Sequence, residues 1–487
     1  MEELRAQRLA LSQQYCKESG SDMNSSASQA ASLEAGAAVA PGFKRVLGLP
    51  ALVLFGLAYM VPLTVFTTFG YVSVLSEGHV AAAYVVTLIA MLFTATSYGA
   101  MVKAYPSSGS AYTFVRRTFG ANTSFLVGWA LMLDYILLPM VCYLFLGIYM
   151  QPFTPNVPVA VWIVGAVALV TALNIFGIKM VTKMNLVLVG FQVVFIAVFI
   201  LASIRTMGGQ DLPSPLTPFF SPDMPIGGVI AGAAMLCFSF LGFDAVSTLA
   251  EETDNPRVKI PRAILLCTLL GGGLFIAISY VTQMVFPGYS FVNVDAATLE
   301  IATHAGGDWL AVFFTAAYCA GLFACAMASQ ASVSRLLYVM GRDAALPKRV
   351  FGQMNSRFNT PVNAVLISGA FGLSALFVDG TTATALISFG ALSAFTFVNL
   401  SVIKHYVIDK GNRGAGMILR YAVAPGIGVV LTLWLWTQLT EIAFWVGSIW
   451  VGLGLVWLLF LTRMFRRKLP KITFEDVDAS ELPARLS

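Results

Sequence analysis

The chain has 487 residues, of which 58% are hydrophobic and only 11% charged, with a mean hydropathy of +0.80. Length alone would suggest about three soluble domains, but this composition excludes them and reads as a polytopic, all-α membrane protein. The net charge of +5 follows membrane sorting of basic residues, so it gives no reason to expect a nucleic-acid partner.

Residues 1–43 are expected to form a disordered cytoplasmic tail. They hold no apolar run behind a basic start, hence no cleaved signal peptide, and 19–41 are rich in Ser, Ala and Gly. The apolar body, 44–465, contains twelve apolar segments of spanning length, at roughly 47–75, 80–102, 121–149, 158–178, 184–205, 226–250, 262–286, 308–338, 361–379, 383–406, 417–439 and 442–463. Residues 466–487 form a second cytoplasmic tail. Of the 29 Lys and Arg, only Arg205 falls outside when the N-terminus is placed in the cytoplasm, which fixes the expected orientation. The outer loops are acidic, with Glu77, Asp211, Asp223, Asp295, Glu300, Asp308, Asp379 and Glu441. Either sorting has left these acids behind or they enrich cations near an entrance. The six cysteines (Cys16, Cys142, Cys237, Cys267, Cys319 and Cys325) show no metal-ligand spacing and imply no disulfide framework.

The first span is broken at Pro62. Proline removes an N–H and leaves the carbonyl of Ala58 without its ladder donor, a defect tolerated in lipid only where protein or a wet cavity takes it up. The sixth span repeats the feature, with Phe238-Ser239-Phe240-Leu241-Gly242-Phe243-Asp244 setting a glycine and a carboxylate at mid-depth. Interrupted helices five spans apart suggest two halves of opposite orientation, about 47–205 and 226–406, followed by two extra helices at about 417–463.

These features accompany a resemblance. Gly56-Leu57-Ala58-Tyr59-Met60, Thr68-Phe69-Gly70, Gly109-Ser110-Ala111-Tyr112-Thr113, Leu133-Asp134-Tyr135, Glu251-Glu252-Thr253 and Ile260-Pro261-Arg262-Ala263-Ile264 are similar to the amino acid–polyamine–organocation superfamily. The longer runs 237–246, 331–343 and 389–402 resemble its bacterial putrescine importers. The resemblance implies a LeuT-type five-plus-five inverted repeat of twelve transmembrane helices in a bacterial inner membrane. It also implies secondary import of a small organic cation, putrescine or a related amine, by alternating access.

Amino acid carriers of the superfamily cradle a carboxylate on a Gly-Ser-Gly break; here Pro62-Leu63-Thr64 stands there, and proline cannot donate. That favours a ligand lacking a carboxylate, although Pro62 could be an ordinary kink. Asp244 aligns with an acid of related amine antiporters, and is expected either to bind an ammonium, to carry a proton, or to cap the helix break. Asp134 divides between ammonium ligand, proton carrier and internal hydrogen-bond partner. Carbonyls near Ala58 and Ser239 would join them, with Tyr59, Phe238, Phe240, Phe243 and Tyr318 offering either cation–π faces or plain packing. Pro62, Thr64, Thr67 and Gly242 complete the expected site. The putrescine importers carry an aspartate where Thr67 stands, which weakens a second ammonium pocket and keeps a monoamine in view. Gln192 occupies a place where some proton-coupled relatives have lysine, leaving the carboxylates as proton carriers.

On the cytoplasmic side Tyr112, Glu251 and Glu252 are candidates for an inner gate, beside Arg257, Lys259 and Arg262, or for a solvated helix end closed by Pro256 and Pro261. Inward movement of a dication along a negative potential releases roughly 4–5 kcal/mol per 100 mV, so proton coupling is optional. The competing readings are an amino acid permease, an amine or amino acid antiporter and, remotely, an intramembrane aspartyl protease using Asp134 and Asp244. His79, His304 and His405 sit at span ends, which removes a serine protease. No enzymatic activity, cofactor or metal is expected. The partners are a small amine, the lipid bilayer and, optionally, protons.

Overall fold

The computed structural model describes residues 43–464 except 210, 211, 293, 295, 296, 379, 412 and 440. The expected tails, apart from Phe43, and Cys16, Asp211, Asp295 and Asp379 lie outside the described residues. Among those described, the chain is helical throughout, with two isolated β-bridges and no strand. The chain is a multi-pass membrane protein: among the described residues nine helices are long and apolar enough to cross a bilayer, two more (Val159–Ile175 and Val362–Leu376) are shorter and apolar, and one bent pair passes the same test jointly.

That pair is α1 (Leu49–Met60) and α2 (Thr64–Leu75), bent by 46°. It is followed by α3 (Val80–Ala104), α4 (Ser110–Phe119), α5 (Ala121–Met150), α6 (Val159–Ile175), α7 (Ile178–Met207) and α8 (Ile226–Leu236). Next come α9 (Pro256–Val285), α10 (Ala297–Gly306), α11 (Asp308–Arg342), α12 (Lys348–Phe351), α13 (Val362–Gly372) and α14 (Gly380–Val402). The last are α15 (Ala415–Ile418), α16 (Ala424–Trp436) and α17 (Glu441–Leu461). Bulky apolar side chains such as Leu201, Val187, Trp445, Val456 and Phe460 stay exposed on the outside of α7 and α17. That is the surface a lipid-facing helix needs.

Several basic residues that fall between the expected spans lie on helices. Lys179 and Lys183 occupy the first turns of α7, and Arg116 and Arg117 belong to α4. Pro256 and Pro261 do not stop a helix; Pro256 opens α9 and Pro261 lies within it. A proline in the first turn removes an N–H that had no helical partner anyway.

Helices approach closely where glycine leaves room. An added Cβ at Gly228 of α8 would lie 1.9 Å from the backbone oxygen of Leu75, at the end of α2. Elsewhere α5 is stapled to α17. Trp129 and Trp450 stack at 5.1 Å and each indole N–H donates to the other's backbone carbonyl, at 2.9 and 2.8 Å. Because the obstacle at Gly228 is main chain, Gly228→Ala should force α2 and α8 apart and cost about 1–3 kcal/mol. A lowered melting temperature of the purified protein in detergent would report it; an unchanged one would show that the helices adjust freely.

Candidate functional site

Both interruptions fall where the sequence suggested, and they meet. In the first, Val61 takes φ 49° and ψ 95°, an unusual conformation for a β-branched residue. The hydroxyl of Thr64 then donates to the Met60 carbonyl at 2.8 Å and to that of Val61, while the Thr64 N–H also reaches Val61 O. The Tyr59 carbonyl accepts from the Cys325 thiol at 3.0 Å. The break is therefore largely satisfied by the protein itself, and the one carbonyl that Pro62 deprives of its donor is that of Ala58. In the sixth span α8 tightens into a 3-10 turn, Cys237–Phe240, then unwinds over residues 241–244 and resumes as 3-10 helix Ala245–Glu252. Gly242 sits at the centre with φ +128°, and the Tyr59 ring lies against it so closely that a Cβ would come within 2.7 Å.

Around this junction stand Tyr59, Asp134, Tyr135 and Asp244, all at most 2% exposed. Tyr135 Oη donates to Asp244 Oδ2 at 2.7 Å, and the Gly242 N–H to Oδ1 at 3.2 Å. Tyr59 and Tyr135 meet edge to face at 6.2 Å. Asp134 Oδ1 and Tyr59 Oη have no protein partner. The two carboxylates lie within electrostatic reach of each other and of Tyr59. Among the described residues no basic side chain forms an ion pair with either.

The other expected residues are spread around this centre. Ala58 packs with Val189 and Ala324. Gln192 lies against Val61 and Gly321, its Oε1 unpartnered. Thr67 donates to the Thr64 carbonyl and borders Tyr318, which stacks on Phe314 at 5.6 Å and meets Tyr149 edge-on. The Ser239 hydroxyl contacts Tyr84 Oη, which also reaches Thr68. Phe240 packs edge-on to Phe275, and Phe243 stacks on Phe395, so both rings have ring partners. Phe238 instead lines a mainly apolar cavity of about 400 Å³ between α8, α14 and α16. Tyr135, Tyr84 and Cys325 were not expected as site residues; the only signal was the position of Tyr135 beside Asp134.

Below the centre, the partners expected for Glu251 and Glu252 are corrected. Lys259 pairs with Asp254, and the cations that reach the two glutamates come from α11. Glu252 pairs with Arg335 while both are buried, and Glu251 takes Arg342 in two bonds of 3.0 and 3.1 Å plus Ser107 and the Ser108 N–H. The chain ahead of α1 closes over this network: Val46 and Leu47 N–H donate to the Glu252 carbonyl, and the Phe43 ring lies against Arg335 and Tyr338. Tyr112 touches neither glutamate and reaches the network only through Asp343. It receives a hydrogen bond from Arg116 at 2.5 Å, and Arg116 pairs with Asp343 at 3.2 Å. Burial, reinforced by Asp343, raises the Tyr112 phenol well above its usual range, so it stays protonated. Burial also raises Asp343, against the pull of Arg116 and Arg342.

Residues 51–471 match the amino acid permease family. The chain is 42% identical over 439 residues to the low-affinity putrescine importer of Escherichia coli strain K12, covering 89% of this chain and 97% of that one. It is 28% identical to the branched-chain amino acid permease of Bacillus subtilis, over 85% of this chain and 92% of the relative. To the methylthioribose transporter of the same organism it is 29% identical, over 85% and 93%.

The buried pair of α11 generates a test. Arg335→Ala leaves Glu252 in the interior without its cation and should cost about 3–5 kcal/mol, with much of the loss recovered when Glu252→Gln is added. Thermal unfolding of the single and double variants would measure it, and a single variant as stable as the parent would contradict the burial argument.

Proposed function

The chain is a transporter of the amino acid permease family, not an enzyme, and from that premise we propose that it imports putrescine or a closely related small amine by alternating access. The observation that carries the reading is the pair of buried carboxylates, Asp134 and Asp244, at the junction of the two interruptions, with no basic side chain paired to them among the described residues. Excess negative charge in a low-dielectric site has to be neutralised, and the available means are a proton or a cationic ligand. A dication fits both acids at once. A monoamine fits if one acid holds a proton, which is how proton coupling would enter. An amino acid would bring a third carboxylate into that field, and Pro62 supplies no N–H to receive it.

The nine long helices, the bent pair and the two shorter apolar helices support a twelve-span body whose interruptions are five spans apart, as an inverted repeat requires. The basic residues on α4, at the starts of α7 and α9 and at the end of α11 support cytoplasmic termini in a bacterial inner membrane. The Glu252–Arg335 and Glu251–Arg342 pairs with the 43–47 segment would then form the inner gate, closed here beneath a buried site. The similarity to the E. coli putrescine importer supports the substrate class.

Uptake of labelled putrescine into proteoliposomes, with and without an inside-negative potential, tests this reading. We expect potential-stimulated uptake, competition by other diamines, and a loss of at least about tenfold in Asp134→Asn. Competition by neutral amino acids without competition by diamines would replace the amine with an amino acid.

A further inference from the structure

The two buried acids have unlike surroundings. Asp244 arrives with its acceptors engaged: Oδ2 takes the Tyr135 hydroxyl from α5 and Oδ1 the Gly242 N–H from its own turn. The first bond ties the interruption of the sixth span to the long helix α5, and the second closes the turn on itself. Asp134 is 1% exposed, yet its Oδ1 has no protein partner. Its backbone is fixed by Gly390 of α14, where an added Cβ would come within 2.8 Å of the Asp134 nitrogen. A ligand that approaches Asp244 must displace protein donors, whereas one that approaches Asp134 finds an empty acceptor on a rigid frame.

We propose that the acids divide the work: Asp134 receives the ligand's ammonium, and Asp244, held by Tyr135, is the latch that docks the sixth-span turn on α5. Tyr135 is thus a positioning residue. The ammonium half rests on the amine reading above; the latch does not. An ammonium at Asp134 lies within electrostatic reach of Asp244 and competes with the Tyr135 hydroxyl for that carboxylate. Exchanging one donor for the other frees the turn, so occupancy and hinge release become one event.

Two measurements decide this. In ligand-free protein, Tyr135→Phe removes one hydroxyl and keeps the ring; hydrogen–deuterium exchange across 238–249 should accelerate about fivefold while α5 is unchanged. Unchanged exchange there overturns the latch. In equilibrium binding of labelled putrescine, Asp134→Asn should weaken affinity at least about tenfold, with Tyr135→Phe remaining within about threefold of the parent. A larger loss in Asp244→Asn or Tyr135→Phe than in Asp134→Asn overturns the division. If the parent protein binds no diamine, the amine reading fails, and the exchange measurement still decides the latch.

Discussion

Hydrocarbon offers no hydrogen-bond partners, so a helix can be interrupted inside a membrane only where the protein takes up the freed groups. Here the two interruptions answer each other. Thr64 and Cys325 cover carbonyls of the first, Asp244 covers an N–H of the second, and the Tyr59 ring fills the space above Gly242. The same contact that makes the breaks tolerable gathers Asp134, Tyr135 and Asp244 around them. Chemistry at the centre of the bundle is thus a consequence of how the backbone is repaired, and any ligand has to work through those repairs.

The multi-pass helical character and both interruptions were legible because each rests on local signals: apolar length, a proline, a glycine beside an acid. What escaped was contact between distant residues. Nothing near Glu251 or Glu252 points to Arg342 or Arg335, which lie 91 and 83 residues further on; the basic cluster just after them was the nearer and wrong choice. Freed carbonyls were expected at both breaks, but Thr64 can fold its hydroxyl back onto the preceding turn, and a one-dimensional reading has no account of that rotamer. Phe240 and Phe243 were left between ligand faces and plain packing; their rings have partners in α9 and α14.

The ion-pair network around Glu251 and Glu252 is held by different physics from the centre. There, charges of both signs are present and matched: Glu252 with Arg335, Glu251 with Arg342, Asp343 with Arg116. Such pairs return little net stability against well-packed apolar residues, yet are costly to leave half-made. They therefore suit a contact that has to be either fully formed or fully hydrated. At the centre the acids have no paired cation among the described residues, so the protein separates a region where charge is balanced internally from one where balance must come from elsewhere.

The indole staple between α5 and α17 gives the molecule a built-in optical reporter. Trp129 and Trp450 lie 5.1 Å apart with their planes 24° from parallel, each donating to the other's backbone. Chromophores that close couple excitonically, and their shared near-ultraviolet signal depends on the spacing of the two helices. Since α5 also carries Asp134 and Tyr135, circular dichroism in that band registers whether the frame around the acids stays still while the rest of the bundle turns over.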